Sequence, residues 1–289
     1  MTEVVVNEAG IKDVSGKVGI VTGGASGIGK ALVELLHRKG ASVVFGDLQT
    51  AAGDKLAAEL GPNVDFLKTN VLVWKELLAL FSFTQAKYGR VDLVFANAGV
   101  PETQNAFEDV YDENGDLVEP TMTVIDVNLK SVALTAKLAM SYFQKNSPPG
   151  GGLVLTCSTS GYNERPNLPL YSAAKHGVAG LMRALRHEAP KQGVNVALIA
   201  PGGTETGMLD ENIRNTFRSL GIPLQSPEYV ATAALWLASD PAQNGKGLTL
   251  IGSVATEVEG PLLETQPTWY GQYNLDMAAK AANVNYVRK

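Results

Sequence analysis

Tyr171 and Lys175 are four positions apart in a stretch with a helical pattern. On a helix, such residues lie one turn from each other on the same face. A free tyrosine has a pKa near 10 and is a poor base at neutral pH, but a neighbouring cation favours the phenolate and lowers that pKa. Such a pair can remove the hydroxyl proton of an alcohol while hydride leaves its carbon. Considered alone, the spacing also fits a half-buried tyrosine and a solvated lysine on an amphipathic helix.

A glycine-rich segment, Thr22–Gly29, lies between a strand pattern and a helix pattern. Such a turn presents free backbone N–H groups and the positive end of a helix to a phosphate. Gly23, Gly27 and Gly29 would let the backbone approach a pyrophosphate without a Cβ in the way. Two alternatives to a dinucleotide loop remain. One is a nucleoside-triphosphate loop over residues 24–30, in which Ala31 replaces the magnesium-binding Ser or Thr, and the other is a turn without a ligand.

The next strand pattern ends in an acid, Asp47, at the spacing of about 20 residues past the glycines that is typical of dinucleotide sites. A carboxylate there accepts hydrogen bonds from the hydroxyls of an adenosine ribose. It also repels the additional phosphate of NADP, and no arginine follows it to compensate. The alternative is that Asp47 only caps the next helix. The sequence therefore favours a dinucleotide site and predicts NAD as the cofactor.

These residues have to be positioned by the strands and helices around them, and short β-branched runs alternate with longer helical patterns along the chain. Strands are predicted at Val18–Thr22, Ser42–Gly46, Val64–Lys68, Leu93–Ala96, Leu153–Cys157, Asn195–Ile199 and Leu248–Ile251. Helices are predicted near Ile28–Lys39, Ala51–Leu60, Val73–Lys87, Met122–Lys145, Ala173–Lys191 and Pro227–Ala238. This alternation, with strands that are apolar almost throughout, predicts an α/β fold with a doubly wound parallel sheet. Because no Pro-, Gly- or Ser-rich linker divides the pattern, a single domain is predicted.

Three motifs in this order resemble the short-chain dehydrogenase/reductase family: the glycine loop, Asn97–Gly99, and the segment from Tyr171 to Lys175. The resemblance covers about Lys17 to Ile251 and implies a Rossmann-like fold in the NAD-preferring branch of the family. It assigns Tyr171 as the acid/base and Lys175 as the partner that lowers its pKa and holds the nicotinamide ribose. The family's serine falls at Ser158, whose hydroxyl would stabilise charge on the substrate oxygen, with Ser160 as a nearby competitor.

The resemblance also implies roles for residues that carry little signal alone. Asn128 would support a water that links Lys175 to solvent, although by itself it fits a polar residue on a helix surface. Asn97, Ala98 and Gly99 would pack beside the adenosine ribose. The remaining expected cofactor contacts are Ser26, Ile28, Leu48, Asn70, Val71, Pro201, Gly202, Thr204 and Thr206. Asn70 departs from the family pattern, in which aspartate is usual, and the common terminal strand with an Asp-Gly-Gly ending is absent.

The sequence divides the chain into three predicted parts. Residues 1–16 form a predicted N-terminal extension, residues 17–253 the catalytic domain with a substrate lid over 203–226, and residues 254–289 a C-terminal extension. The lid is rich in apolar residues, and the C-terminal extension holds Trp269, Tyr270, Tyr273 and Tyr286. That extension fits a cover for the substrate pocket, a subunit contact, or packing on its own domain. The acidic segment Val100–Pro120 is predicted to be a solvated surface insertion.

The predicted function is reversible NAD-dependent hydride transfer between a secondary alcohol and its ketone. The apolar lid indicates a bulky hydrophobic substrate of the lipid, steroid, prostaglandin-like or polyketide type. The alternative is a non-catalytic cofactor-binding sensor or assembly protein that keeps the fold. By resemblance, the protein is expected to be a homodimer or homotetramer.

Composition and residue patterns argue against several other classes of protein. The net charge of −5 argues against nucleic acid as a partner, because nucleic-acid binders carry a basic face. No apolar stretch is long enough to span a bilayer, and no secretory signal is recognisable, so a cytoplasmic location is expected. The single cysteine, Cys157, excludes an internal disulfide and a cysteine-based zinc cage. His37, His176 and His187 have no ligand-like spacing, so no metal is expected.

Overall fold

A computed structural model of the protein describes residues 2–281 and contains one nine-stranded sheet in the order β1-β9-β8-β7-β6-β5-β2-β3-β4. The strands are β1 Glu3–Val4, β2 Val18–Thr22, β3 Ser42–Asp47, β4 Val64–Lys68, β5 Leu93–Ala96, β6 Gly151–Thr156, β7 Val194–Pro201, β8 Gly247–Ile251 and β9 Val254–Glu257. Strands β2 to β8 are parallel to their neighbours, β9 is antiparallel to β8, and β1 is antiparallel to β9. The predicted single-domain, Rossmann-like α/β fold is confirmed.

Helices connect the parallel strands and cover both faces of the sheet. They are α1 Gly27–Arg38, α2 Thr50–Leu60, α3 Trp74–Tyr88, α4 Thr123–Ile125, α5 Ser131–Phe143, α6 Pro169–Leu185, α7 Glu211–Ser219, α8 Pro227–Ser239, α9 Glu259–Glu264, α10 Gln266–Tyr270 and α11 Gln272–Ala281. A π-helical turn, Asp126–Lys130, joins α4 to α5. The helix predicted over Ala173–Lys191 begins earlier and ends earlier. Pro169 begins it because proline suits the first helical turn, and a separate 3₁₀ turn follows at Ala189–Gln192.

The core lies in two layers, one on each face of the sheet. Successive residues of a strand point to opposite faces, so Ile20 packs with α3, α5 and α6, whereas Val21 packs with α1 and α8. Strands β2, β5 and β7 are buried along their whole length, as expected for a parallel sheet covered on both faces. This double burial fixes the carboxyl ends of the strands as a rigid edge.

The two chain ends also belong to the sheet. A tight turn at Gly252 and Ser253, both with positive φ, reverses the chain from β8 into β9, and β1 then pairs with β9. The sequence did not predict either strand, and the segments treated as N- and C-terminal extensions each supply one of them. Beyond β9, helices α9 to α11 continue the chain, and Trp269, Tyr270 and Tyr273 are exposed. Tyr286 lies outside the described residues.

The acidic segment over residues 100–120 is exposed along most of its length, as predicted, and contains a small turn closed between Tyr111 and Leu117. Within residues 2–281, no helix is both long enough and apolar enough to cross a membrane.

Candidate active site

The carboxyl ends of the parallel strands β2 to β7 form one edge of the sheet, and the predicted site residues follow them directly. The glycine loop follows β2, Asp47 ends β3 and Asn70 comes shortly after β4. Asn97, Ser158 and Gly202 follow β5, β6 and β7 in the same way. In open parallel sheets, ligands bind in the crevice outside this edge. The structure therefore brings residues from six separate parts of the chain to one site.

The glycine loop forms a cradle that side chains would fill. Gly23 has φ +68°, and a Cβ there would lie 2.9 Å from Cα of Ala98. Gly27 has φ +51° and begins α1, so the first N–H groups of that helix have no partner within it. A Cβ on Gly29 would collide with the carbonyl oxygen of Gly23. This close-packed turn at a helix N-terminus fits a pyrophosphate, which needs free N–H donors and close backbone approach.

Asn97 and Thr22 hold this cradle against the neighbouring strand. The amide of Asn97 donates to the carbonyl oxygens of Thr22 and Gly23, at 3.1 and 3.2 Å. The hydroxyl of Thr22 accepts from the backbone N–H groups of Asn97 and Ala98. Asn97 therefore fixes the glycine loop, and the packing of Asn97–Gly99 beside the adenosine ribose stays a prediction.

Asp47 is buried at the end of β3, directly beside the glycine loop. One carboxylate oxygen accepts from the N–H of Ala25 at 3.0 Å, and the other accepts from the N–H of Gln49 at 3.0 Å. Because Gln49 occupies the N-cap position of α2, Asp47 is not the cap of that helix, and the alternative considered above does not hold. Leu48, beyond it, is 60% exposed.

Tyr171 and Lys175 lie on α6, as the spacing predicted. The ammonium Nζ of Lys175 lies 5.5 Å from the centroid of the Tyr171 ring and donates to the carbonyl oxygen of Thr156 at 3.0 Å. Lys175 is buried, and burial lowers its pKa from 10.5 to about 8 because the charged form loses hydration. The side chain therefore still carries a proton for most of the time at neutral pH.

The pKa of Tyr171 moves in the direction opposite to the one the lysine was expected to impose. Burial raises it, and a hydrogen bond with Ser158 offsets part of that rise. The physical reason is that loss of hydration disfavours the phenolate, and within the protein this effect is larger than the stabilisation by nearby groups. The hydroxyl of Ser158 also accepts from the N–H of Ser160 at 3.1 Å. Of the two candidate serines, Ser158 is the one whose interaction lowers the pKa of Tyr171.

Asn128 is completely buried on the π-helical turn, so it is not a polar residue on a helix surface. Its side-chain oxygen accepts from the N–H of Val100 at 3.0 Å, and its amide donates to the carbonyl of Val100 at 2.8 Å. A Cβ added to Gly99 would lie 2.9 Å from Oδ1 of Asn128 and 3.8 Å from Nζ of Lys175. Gly99 therefore lies against both side chains. Such π-helical turns occur often at functional sites.

Some expected cofactor residues direct their polar groups into the protein. The hydroxyl of Thr204 donates to the carbonyl of Gly202 and accepts from the side chain of Gln225. Asn70 Oδ1 accepts from the N–H of Leu72 in a local turn. Val71 is buried in the core, whereas the side chain of Thr206 lies close to Gly27. The cofactor contacts assigned to these residues stay predictions.

Sequence reasoning missed two carboxylates with contacts to α6. Glu102, from the acidic segment, accepts from the N–H of Tyr171 at 2.7 Å. Glu259, at the start of α9, is buried and accepts from Tyr162, Arg183 and Arg186. No local pattern indicates either contact, because both residues are charged and their partners are remote in the sequence.

Comparison with known proteins supplies an independent line of support. The model of the short chain dehydrogenase family matches residues 17–216. The chain is 36% identical to the short-chain dehydrogenase/reductase prx4 of Penicillium rubens over 298 residues, covering 97% of this chain and 88% of that protein. It is 33% identical to (+)-borneol dehydrogenase 1 of Salvia officinalis, covering 83% of this chain and 93% of that protein.

A solved structure is similar in fold. The 3-ketoacyl-(acyl-carrier-protein) reductase of Brucella melitensis, solved in complex with NADH, superposes with a TM-score of 0.74 at 27% identity. The match covers 83% of this chain and 98% of that one.

Proposed function

The chain belongs to the short-chain dehydrogenase family, and we propose that it catalyses reversible NAD-dependent hydride transfer between a secondary alcohol and its ketone. The family makes it an oxidoreductase that uses a nicotinamide cofactor. The observation that carries the proposal is the group of Ser158, Tyr171 and Lys175 at the same sheet edge as the glycine cradle and Asp47.

Each side chain of this group has a chemical task. In alcohol oxidation, Tyr171 accepts the hydroxyl proton, and in ketone reduction its phenol returns a proton to the carbonyl oxygen. Ser158 would donate a hydrogen bond to that oxygen as charge develops on it. Lys175 holds a positive charge near the phenolate. When bound at the glycine cradle, the cofactor would supply the hydride chemistry, as acceptor in oxidation and as donor in reduction. The raised pKa of Tyr171 favours the protonated phenol, the form required for reduction.

The cofactor site fits a dinucleotide. The glycine cradle would hold the pyrophosphate, and Asp47 would accept hydrogen bonds from the adenosine ribose. A buried carboxylate at this position disfavours NADP because its additional phosphate would lie beside a negative charge. This repulsion supports NAD as the cofactor, in keeping with the NADH bound to the Brucella melitensis reductase.

The lid over residues 203–226 supports a bulky hydrophobic substrate. Met208, Ile213 and Leu220 are 42%, 40% and 68% exposed, so this segment presents apolar surface that a substrate would cover. The relative that bears the name (+)-borneol dehydrogenase gives a starting compound for a substrate panel. Assembly into a homodimer or homotetramer and a cytoplasmic location stay predictions.

Turnover of NAD with a panel of secondary alcohols tests the proposal, with Tyr171→Phe as the matched variant. Phenylalanine keeps the ring and removes only the group that transfers the proton. We expect kcat to fall by at least about 1,000-fold while NADH binding, measured by fluorescence titration, stays within about threefold. NADH binding without NAD turnover in the unaltered protein would favour the cofactor-binding sensor, and an unchanged kcat in the variant would contradict the acid/base role of Tyr171. Absence of both NAD turnover and NADH binding in the unaltered protein, or a higher kcat/KM with NADP than with NAD, would contradict the proposal.

A further inference from the structure

Glu102 lies in the acidic segment 100–120 but differs from most of its neighbours because it is only partly exposed. One of its carboxylate oxygens accepts from the N–H of Tyr171 at 2.7 Å, and the other accepts from the N–H of Leu170 at 3.4 Å. The first N–H groups of a helix have no partner within the helix. Leu168, at the N-cap position of α6, has no side chain that caps, and Pro169 has no N–H. Glu102 therefore provides the cap that the local sequence of α6 lacks.

The same stretch of backbone is held at a second point. Val100, two residues before Glu102, forms two hydrogen bonds with the buried side chain of Asn128. Gly99, which precedes Val100, lies against both Asn128 and Lys175. Residues 99–102 therefore connect Asn128 on the π-helical turn to the backbone of Tyr171, and they pass next to Lys175.

We propose that Glu102 is a positioning residue that fixes Tyr171 relative to Asn128 and Lys175 and whose negative charge adjusts the ionisation of the phenol. The proposal rests on the proposed function insofar as Tyr171 is the acid/base. It also makes part of the acidic segment functional, where the sequence predicted a solvated insertion.

The direction of the electrostatic effect follows from the charges around Tyr171. The positive end of α6 favours the phenolate, and a carboxylate at that end offsets this influence. Removing the carboxylate charge should therefore lower the pKa of Tyr171. The other titratable or charged groups on α6 are Lys175, His176 and Arg183. On the elements packed against α6 they are Asp126 and Lys130, which pair with each other on the π-helical turn, Lys137 and Tyr142 on α5, and Cys157 just after β6.

Two substitutions separate position from charge. Glu102→Ala removes both hydrogen bonds, so the first turn of α6 loses its anchor and kcat should fall by about 10- to 100-fold, since small misplacements of a catalytic group are costly. Glu102→Gln keeps an oxygen for the N–H of Tyr171 and should restore kcat to within about threefold of the unaltered protein. The acid limb of its pH profile for alcohol oxidation should move to lower pH by about half a unit.

Asp240→Asn is the matched control. The side chain of Asp240 also accepts a backbone N–H bond, from Ala242, and it lies before β8, at the end of the strands opposite to the candidate site. This variant should lose stability without any change in the pH profile or in kcat. The proposal is overturned if Glu102→Ala keeps the kcat and pH profile of the unaltered protein. It is also overturned if Glu102→Gln is as impaired as Glu102→Ala and its pH profile does not move.

A second measurement does not depend on turnover or on the stability of the alanine variant. The ultraviolet absorbance of ionised tyrosine is titrated in the unaltered protein and in Glu102→Gln, each with its Tyr171→Phe counterpart subtracted. A lower pKa of Tyr171 in the glutamine variant supports the inference even if no alcohol is turned over. An unchanged pKa contradicts the charge effect even if the dehydrogenase activity is found.

Discussion

Helix α6 contacts two groups of charged side chains that differ in how their charges are compensated. Near its N-terminus, the buried ammonium of Lys175 donates to a backbone carbonyl and, within residues 2–281, forms no ion pair with a carboxylate. Near its C-terminus, the buried carboxylate of Glu259 accepts from Tyr162 at 2.7 Å, from Arg183 at 2.9 Å and from Arg186 at 3.0 Å.

We propose that this difference separates a functional charge, that of Lys175, from a structural one, that of Glu259. A buried charge without an opposite charge costs free energy, and its lowered pKa measures that cost. Perturbed groups of this kind concentrate at sites where chemistry needs them. A buried charge with all its hydrogen-bonding positions filled instead holds elements together, here the C-terminal helices against α6. We therefore expect the N-terminal group to control rate and the C-terminal group to control stability.

The largest effect is expected from Lys175→Met, which keeps an unbranched side chain and removes the charge. The phenolate of Tyr171 loses its nearby cation, so kcat/KM for alcohol oxidation should fall by more than about 1,000-fold. Because an apolar side chain replaces an unpaired buried charge, stability to denaturant should be unchanged or higher. Steady-state kinetics and urea unfolding measure the two quantities.

Lys191→Met is the control for that substitution. Lys191 is exposed and pairs with Glu188, so the same chemical change there should leave both quantities nearly unaltered. A Lys175→Met protein that is strongly destabilised would show that the lysine is structural, and the contrast between the two ends of α6 would fail.

The second prediction concerns Glu259→Gln, which keeps the size of the side chain and leaves Arg183 and Arg186 without their counter-charge. Breaking a buried ion pair in this way should lower the free energy of unfolding by about 3 kcal/mol. The activity of the folded fraction should stay within about threefold, because Glu259 touches neither Tyr171 nor Ser158. Denaturant unfolding and kinetics at a temperature where the variant is folded measure both effects.

Glu188→Gln, which removes an exposed carboxylate from a surface pair, should cost less than about 1 kcal/mol. If Glu259→Gln matched this small loss, the network around Glu259 would not stabilise the fold as its burial implies.

The sequence indicated most of the fold but not these long-range contacts, for a physical reason. Alternating apolar strands and helices have local periodicities, and the glycine loop and the Tyr171–Lys175 spacing are local as well. Glu102 and Tyr171 are 69 positions apart, and Tyr162 and Glu259 are 97 apart, so their pairing depends on the finished fold. The pKa of Tyr171 was misjudged for the same reason, since burial is a property of the whole site.

Strands β1 and β9 were missed for a different reason. They have two and four residues and lie at an edge of the sheet, where pairing rather than periodicity defines a strand.

The third prediction uses pH to measure the cost of the buried charge. Lys175 has a pKa of 10.5 when unfolded and about 8 when folded, so between these values the folded protein binds fewer protons. Stability should therefore rise with pH across this range, whereas below about pH 8 both states hold the proton and the full cost remains.

The difference in unfolding free energy between the unaltered protein and Lys175→Met isolates this effect, because other titrating groups are common to both. As pH rises from about 8 to 10.5, the unaltered protein should gain on the order of 2 kcal/mol of unfolding free energy relative to Lys175→Met. A difference that does not depend on pH would mean that the ammonium is not held in a desolvated environment.

The smallest effect is expected from Tyr162→Phe, which tests whether the two groups on α6 are independent. Tyr162 is the natural route for coupling, because its phenol donates to Glu259 and only the 3₁₀ turn Thr159–Gly161 separates it from Ser158. Phenylalanine keeps the ring beside Arg183, and the arginines still compensate Glu259. The loss should be about 1 kcal/mol of stability, as for a single hydrogen bond.

Tyr88→Phe, which removes a phenol on α3 that donates to Asp65 on β4, gives the matched loss for comparison. In both variants kcat should stay within about twofold, because Ser158 is held by its own bond to the N–H of Ser160 rather than by Tyr162. A fall in kcat of tenfold or more in Tyr162→Phe alone, with normal stability, would show that the turn transmits the position of Glu259 to Ser158. In that case the C-terminal helices would help to set the geometry of the reaction. The presence or absence of a counter-charge would then no longer distinguish structural from functional charged residues on α6.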